Sequence, residues 1–332
     1  MIKNINKKKY NIREIQNLIN KDLLQVNQII ENNIGKKVPL IKNLSNHIFS
    51  AGGKRIRPII TLLTANLCKY KGNTHIALAA CVELIHTATL LHDDVIDESK
   101  LRRGIPTAND VFGNKSSILV GDFLFSLAFE LLVKNSSKPI LQILSKTSST
   151  IAQGEVMQLS TIKNYNTSED IYMKIIEAKT ASLFSAASEI SALMSKNNKK
   201  AQKALRNYGK NLGIAFQLVD DALDYNGTSI IGKTIGDDFR EGKITLPIIL
   251  CISKANEEEK IFWKKTIESL NQNKNDFNTA LKIIEKYNAV NLTLERAKKY
   301  SSYAIESLNT FPNSKFKSAL ESLAIIAIDR DK

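Results

Sequence analysis

Residues 92–104 read HDDVIDESKLRRG, with three aspartates in a short stretch of apolar helical pattern and two arginines close behind. Residues 217–224 read QLVDDALD, so Asp220, Asp221 and Asp224 repeat the spacing of Asp93, Asp94 and Asp97. At about 3.6 residues per turn, the first and fifth positions of such a motif stack on one helix face and the second lies to one side. Carboxylates embedded in apolar sequence must be paired, protonated or metal-bound. Two such clusters facing one another would repel strongly without divalent cations between them. Magnesium suits, because it is hard, takes oxygen ligands, keeps several waters and bridges a few carboxylates to substrate phosphates. The arrangement implied is two carboxylate walls with a metal-bound diphosphate between them.

Cations for phosphate oxygens are present. AGGKRIRP, residues 51–58, is a glycine turn followed by Lys54, Arg55 and Arg57, with Pro58 opening a helix. Arg102 and Arg103 follow the first acidic cluster, Lys179-Thr180 lies in a helical stretch, and Lys233 and Lys243 follow the second cluster. Each alone reads as an ordinary solvated charge, and the glycine turn is not a P-loop, since GxxxxGK[ST] is absent. The elements that must position these groups are helices. Over 74–98, Ala77, Cys81, Leu84, Ala88, Leu91 and Val95 form an apolar seam. His86, Thr89, Asp93 and Asp97 form a second stripe on the same helix, which suggests a cavity lining rather than a solvated face. Acids near a helix C-terminus oppose its macrodipole, so this stripe calls for counter-charge.

The chain has 332 residues, 43% of them hydrophobic, with only 14 Gly and 6 Pro. That composition, with few alternating polar and β-branched runs, predicts an all-α protein. Helical patterns run over 12–33, 39–51, 57–70, 74–98, 116–134, 138–162, 168–195 and 199–225, and four shorter ones follow within 245–329. No linker divides the chain, so residues 1–332 read as one large multi-helix domain with a basic arm at about 1–11. The formal net charge is +14, but the lysines are scattered and not interleaved with aromatics, which argues against nucleic acid and leaves an anionic substrate or membrane surface. Three separate cysteines exclude a disulfide framework and fit a reducing compartment. The N-terminal MIKNINKKKYNIREIQN lacks the apolar stretch of a secretory signal, so a cytoplasmic location is expected. SILVGDFLFSLAFELLV, residues 117–133, is short for a membrane span and carries Asp122 and Glu130, so a buried helix is expected.

GGKRIRP, LIHTATLLHDDVIDESKLRRG, VGDFLF, GEVMQL, Lys179-Thr180, FQLVDDALD and GKTIGDDFREGK occur in this order along the chain. This series resembles the trans-isoprenyl diphosphate synthases, the polyprenyl synthetase family, over nearly the whole length. The resemblance implies an isoprenoid-synthase-type helix bundle around a central cavity, usually as a homodimer. It implies head-to-tail condensation of isopentenyl diphosphate onto an allylic diphosphate such as farnesyl diphosphate, with three Mg²⁺ ions per site. Carried over by position, Lys54, Arg57, His86 and Arg103 hold isopentenyl diphosphate. Arg102, Lys179, Thr180, Gln217 and Lys233 contact the allylic diphosphate. Asp93, Asp97 and Asp220 are the main metal ligands, with Asp94, Asp221 and Asp224 in support.

Ala88 and Thr89, five and four residues before Asp93, are small, where short-chain members of the family often place an aromatic floor. The tunnel is therefore expected to continue, giving a product near C40 within a C30–C50 range, for a quinone side chain. HTATLLHDDVIDES is most similar to octaprenyl-type members of the family. Phe125, Phe129 and Leu132 are the candidate floor. Three rivals stand beside this reading: a short-chain synthase, a class I terpene cyclase and a non-catalytic partner subunit. The cyclase needs neither GGKRIRP nor a second DDxxD, and such subunits usually lose the acidic motifs.

Overall fold

Apolar periodicity produces helices nearly everywhere in the computed structural model, which describes residues 9–35, 38–195, 199–226 and 235–329. The pattern over 12–33 divides at Ile19 (φ −130°, ψ 15°) into α1 (Ile12–Leu18) and α2 (Asn20–Asn33). Asn11 and Glu14 close a reciprocal cap at the start of α1. The chain continues through α3 (Pro39–Ser50), α4 (Ile56–Leu67), which follows the glycine turn, and α5 (Thr74–Ile96). A two-stranded hairpin, β1 (Leu101–Arg102) and β2 (Ile105–Pro106), was not legible as strand, because its two-residue loop is made by Arg103 (φ 54°) and Gly104 (φ 80°) rather than by a long alternating run.

Beyond the hairpin lie α6 (Ala108–Phe112), α7 (Asn114–Asn135) and α8 (Lys138–Thr161). The pattern over 168–195 is helical throughout but not uniform. It comprises α9 (Glu169–Ile176), a π-helical turn at Glu177–Ala181, and α10 (Ser182–Met194). After α11 (Lys199–Leu223) come α12 (Asp237–Arg240), α13 (Leu246–Ile252), α14 (Glu257–Trp263) and α15 (Asp276–Lys286). The last two are α16 (Ala289–Ser307) and α17 (Lys315–Ile326); α16 is longer than the short elements expected there.

α5 packs against α2, α4 and α7, while α11 packs against α10 and α16. One apolar cluster gathers α4, α5, α7 and α10, and a second gathers α9, the later part of α11 and α13 to α16. α11 runs through both, burying Leu205, Tyr208 and Leu212 in the first and Ile214, Leu218 and Val219 in the second. The two acidic motifs thus sit at the C-terminal ends of two long helices, α5 held in the first cluster and α11 spanning both. α7 buries Val120, Leu124, Leu127, Leu131 and Leu132 but leaves Ile118, Leu119 and Val133 exposed, so it is a half-buried helix rather than a fully covered one.

Candidate active site

On α5 the three aspartates point to different partners. Asp94, 1% exposed, takes Arg102 on its carboxylate. Nε donates to Oδ1 at 2.9 Å and to Oδ2 at 3.0 Å, and Nη2 donates to Oδ1 at 2.6 Å. The hairpin makes this possible by folding back beneath the helix end, where Thr107 and Asn109 both donate to the Ser99 carbonyl. Asp93 and Asp97, one turn apart, each face a lysine instead. Lys179 Nζ lies 3.8 Å from Asp93 Oδ2 and donates to Glu155 Oε2 at 2.7 Å and Gln158 Oε1 at 2.8 Å. Lys243 Nζ lies 2.8 Å from Asp97 Oδ1 and 2.6 Å from Glu241 Oε2. These cations supply the counter-charge that the helix C-terminus demands.

The electrostatics report a crowded, water-poor group of carboxylates. Burial, with Asp93 beside it, pushes Glu155 up to about 7 against the pull of Lys179. Burial likewise raises Asp93, and Asp97 adds to it while Lys179 opposes. Burial works against the charge on Lys243, yet Asp97, Asp238 and Glu241 outweigh it and raise its pKa. Lysine and carboxylate here stabilise one another in a low-dielectric setting.

The π-turn joins this wall to the second motif. Lys179 and Thr180 are consecutive on it; Lys179 reaches the α5 side, while Thr180 Oγ1 donates to Gln217 Oε1 at 2.8 Å. π-turns inside helices often mark functional positions. Two glycines permit the close approach. A Cβ on Gly154 of α8 would stand 2.7 Å from the Lys179 backbone nitrogen, and one on Gly213 of α11 would stand 2.6 Å from Ala181 Cα. Gln217 Nε2 in turn donates to Asp221 Oδ1 at 2.7 Å, and the Tyr172 hydroxyl donates to Asp221 Oδ2 at 2.5 Å. Burial first, and then Asp238, push Asp221 up to about 8 despite those two bonds. Asp224 accepts from the backbone N–H groups of Asp237 and Asp238 at 3.3 and 3.1 Å, tying the start of α12 to the end of α11. Asp220 lies one turn before Asp224 on α11.

A second cationic group lies at the start of α4. Arg57 stacks on Phe184, 4.4 Å from the ring centroid. His86 is held well below its usual range by burial and by Arg57, Arg102, Arg103 and Arg55, so it is neutral near pH 7. Lys54 is exposed on the preceding loop. The structure therefore gathers Arg57, Arg103 and His86 as the sequence suggested, and brings Lys179, Thr180 and Gln217 together. It places Arg102 on Asp94 rather than in the open. Lys233 lies outside the described residues. Among the chain-length candidates, Ala88 and Leu132 are fully buried in the apolar cluster, Thr89 is half-buried with its hydroxyl on the His86 carbonyl, and Phe125 and Phe129 pack 5.3 Å apart. Sequence reasoning gave no role to Glu155, Gln158, Tyr172, Asp238 or Glu241. The signals were GEVMQL, which puts Glu155 and Gln158 three residues apart on one helix face, and GKTIGDDFREGK, which carries Asp238 and Glu241.

Among the described residues, no three His, Cys, Asp or Glu side chains stand close enough to hold an ion by themselves. Asp93 and Asp97 nonetheless offer half-buried carboxylates one turn apart, each facing a lysine. That donor set fits a hard divalent ion that takes one or two protein carboxylates and completes its shell with water and phosphate.

The sequence profile of the polyprenyl synthetases matches residues 38–284. The chain belongs to that family. It is 41% identical over 321 residues to the octaprenyl diphosphate synthase of Haemophilus influenzae, covering 96% of this chain and 97% of that one. Among solved structures, a polyprenyl synthase from Caulobacter crescentus, complexed with calcium and isoprenyl diphosphate, superposes with a TM-score of 0.94 at 44% identity, covering 98% and 99% of the two chains. A decaprenyl diphosphate synthase from Rhodobacter capsulatus gives 0.93 at 42%, covering 97% and 100%. The all-α architecture is therefore that of the polyprenyl synthetases, and the chain is a prenyltransferase.

Proposed function

We propose that this polyprenyl synthetase extends an allylic diphosphate with successive isopentenyl diphosphate units to a long all-trans product near C40, destined for a quinone side chain. The observation that carries the reading is the presence of two unlike anion sites. One combines Asp93, Asp97 and Glu155 with Lys179 and Lys243, suited to a diphosphate that arrives with Mg²⁺. The other combines Arg57, Arg103 and neutral His86 without a comparable carboxylate wall, suited to a diphosphate bound directly by guanidinium groups. Two diphosphate substrates with different metal requirements are what a head-to-tail condensation needs.

Bound Mg²⁺, three ions by analogy with the family, would neutralise charge on the departing diphosphate. Lys179 and the Thr180–Gln217 pair orient the allylic diphosphate as its C–O bond breaks. Arg57, Arg103 and His86 hold the homoallylic double bond beside the allylic cation, so catalysis is largely positioning and charge stabilisation. Apolar side chains of α5 and α7 exclude water, and the released diphosphate takes the proton that restores an allylic product. From Asp93 back to Thr74 is roughly 28 Å at 1.5 Å per residue, room for about five isoprene units before the helix ends. Thr89, the half-buried position one turn above Asp93, places no aromatic in that path. The exposed Ile118, Leu119 and Val133 of α7 support a homodimer formed across that face.

The test is purified protein with Mg²⁺, farnesyl diphosphate and labelled isopentenyl diphosphate, with product length read by chromatography. C40–C50 products support the reading. A C15 or C20 stop supports the short-chain alternative, and no incorporation by a folded protein revives the partner-subunit alternative.

A further inference from the structure

Arg55 sits between Lys54 and Arg57 in the GGKRIRP loop, and its guanidinium is held by Glu83 and Phe49. Nη1 donates to Glu83 Oε1 at 2.9 Å, and the guanidinium carbon lies 5.0 Å from the centroid of the Phe49 ring. Glu83 is 8% exposed and lies one turn before His86 on α5. The Arg55 backbone is left-handed (φ 50°, ψ 38°) at the residue that opens α4. A non-glycine residue keeps that conformation only when its surroundings hold it there. Two residues before it, Gly53 leaves room for another cation: a Cβ there would stand 2.6 Å from Arg103 Nη1. Burial first, and then Arg102 and Arg55, disfavour charge on Arg103, while Glu83 favours it, so the Glu83 carboxylate faces both Arg55 and Arg103.

We propose that Arg55 and Glu83 are a positioning pair for the isopentenyl diphosphate site. Glu83 anchors Arg55, the anchored Arg55 fixes the loop that presents Lys54 and Arg57, and the Glu83 charge offsets repulsion among the arginines while no diphosphate is bound. Neither residue touches substrate. The inference rests on the assignment of this cationic group to isopentenyl diphosphate. Its consequence is selective: the pair joins the start of α4 to the middle of α5, whereas Lys179 and Lys243 face Asp93 and Asp97 at the C-terminal end of α5, so only one of the two substrates should feel its loss.

The experiment measures KM for each substrate separately, with Mg²⁺ and the full-length protein. Arg55→Glu sets two carboxylates face to face and is expected to raise KM for isopentenyl diphosphate about tenfold or more, leaving KM for the allylic diphosphate within about twofold and kcat within about threefold. Adding Glu83→Arg restores opposite charges in reverse order and is expected to bring that KM back to within about threefold of the wild type. A side chain that bonded phosphate itself would not be rescued by this exchange. Arg55→Gln is the milder variant, with an intermediate rise, should Arg55→Glu fail to give a native circular-dichroism melt. An equal rise in both KM values, no recovery in the folded reversed pair, or an unchanged isopentenyl KM in folded Arg55→Gln overturns the inference. A wild type that incorporates no isopentenyl diphosphate overturns the proposed function instead, whatever the variants do.

Discussion

Replacing Arg102 with Met removes the guanidinium and keeps much of the apolar stem, leaving the Asp94 carboxylate, 1% exposed, without its three contacts of 2.6–3.0 Å. Breaking a buried ion pair from one side costs about 3–5 kcal/mol, because the remaining charge is uncompensated. Unfolding entropy near 2.1 cal/mol/K per residue over 332 residues amounts to about 0.7 kcal/mol/K, so the expected fall in Tm is about 4–7 °C. Replacing both partners with apolar side chains, Asp94→Leu with Arg102→Met, should return most of that loss, since a buried pair and a packed apolar pair differ little in net stability. The assay is a calorimetric or circular-dichroism melt in excess chelator, which separates fold stability from metal binding. An Arg102→Met protein that melts within about 1 °C of the wild type in chelator would refute the argument. So would a loss of stability seen only when Mg²⁺ is present, because Asp94 would then be answering to metal rather than to Arg102.

Lys179→Ala should lower kcat/KM for the allylic diphosphate about 10- to 100-fold, the worth of a charge-assisted hydrogen bond of about 1.5–3 kcal/mol, with little change in KM for isopentenyl diphosphate. Steady-state kinetics with each substrate varied in turn decide this. Chelation of divalent ions should abolish turnover while leaving the Tm of the substrate-free protein within about 2 °C, because no protein-only metal site is available among the described residues to stabilise the fold. Thr89→Phe should shorten the product towards C15–C20 as read by chromatography. Ala88→Phe, one residue earlier but fully buried, should instead cost about 1–3 kcal/mol of stability through overpacking, visible as a lower Tm.

The helical class and the long elements were legible because apolar residues recur at helical spacing over many turns, and because Gly, Asn and Pro punctuate the breaks. Three features were not. The division at Ile19 interrupts a pattern whose periodicity continues across it. The β-hairpin needs only four strand residues and two residues of positive φ. The π-turn at Glu177–Ala181 changes hydrogen-bond partners without changing composition, yet it decides that Lys179 and Thr180 face different walls. The same limit applies to the site. Residue types and spacing marked the carboxylates and cations, but pairings between α8, α9 and α11 depend on packing, so Tyr172 gave no sign of its role and the motif around Glu155 did not name its partner.

The two acidic motifs share a spacing but not a division of roles, and helix geometry accounts for where they agree. The second aspartate of each motif is rotated by about 100° from the first, since a helix advances 360° in 3.6 residues. That rotation turns Asp94 and Asp221 away from the first position of each motif, and both are buried and locked: Asp94 by Arg102, Asp221 by Tyr172 and Gln217. A charge in that place orients the elements around the site at the price of needing a committed partner. The fifth positions then diverge. Asp97 faces Lys243, whereas Asp224 is spent on the backbone amides at the start of α12. The first motif therefore offers two carboxylates a turn apart, and the second offers chiefly Asp220, with Asp224 anchoring the segment that carries Asp238, Glu241 and Lys243. Identical DDxxD spacings thus build unequal halves, one with two carboxylates that each face a lysine and the other tied to the backbone at the start of α12.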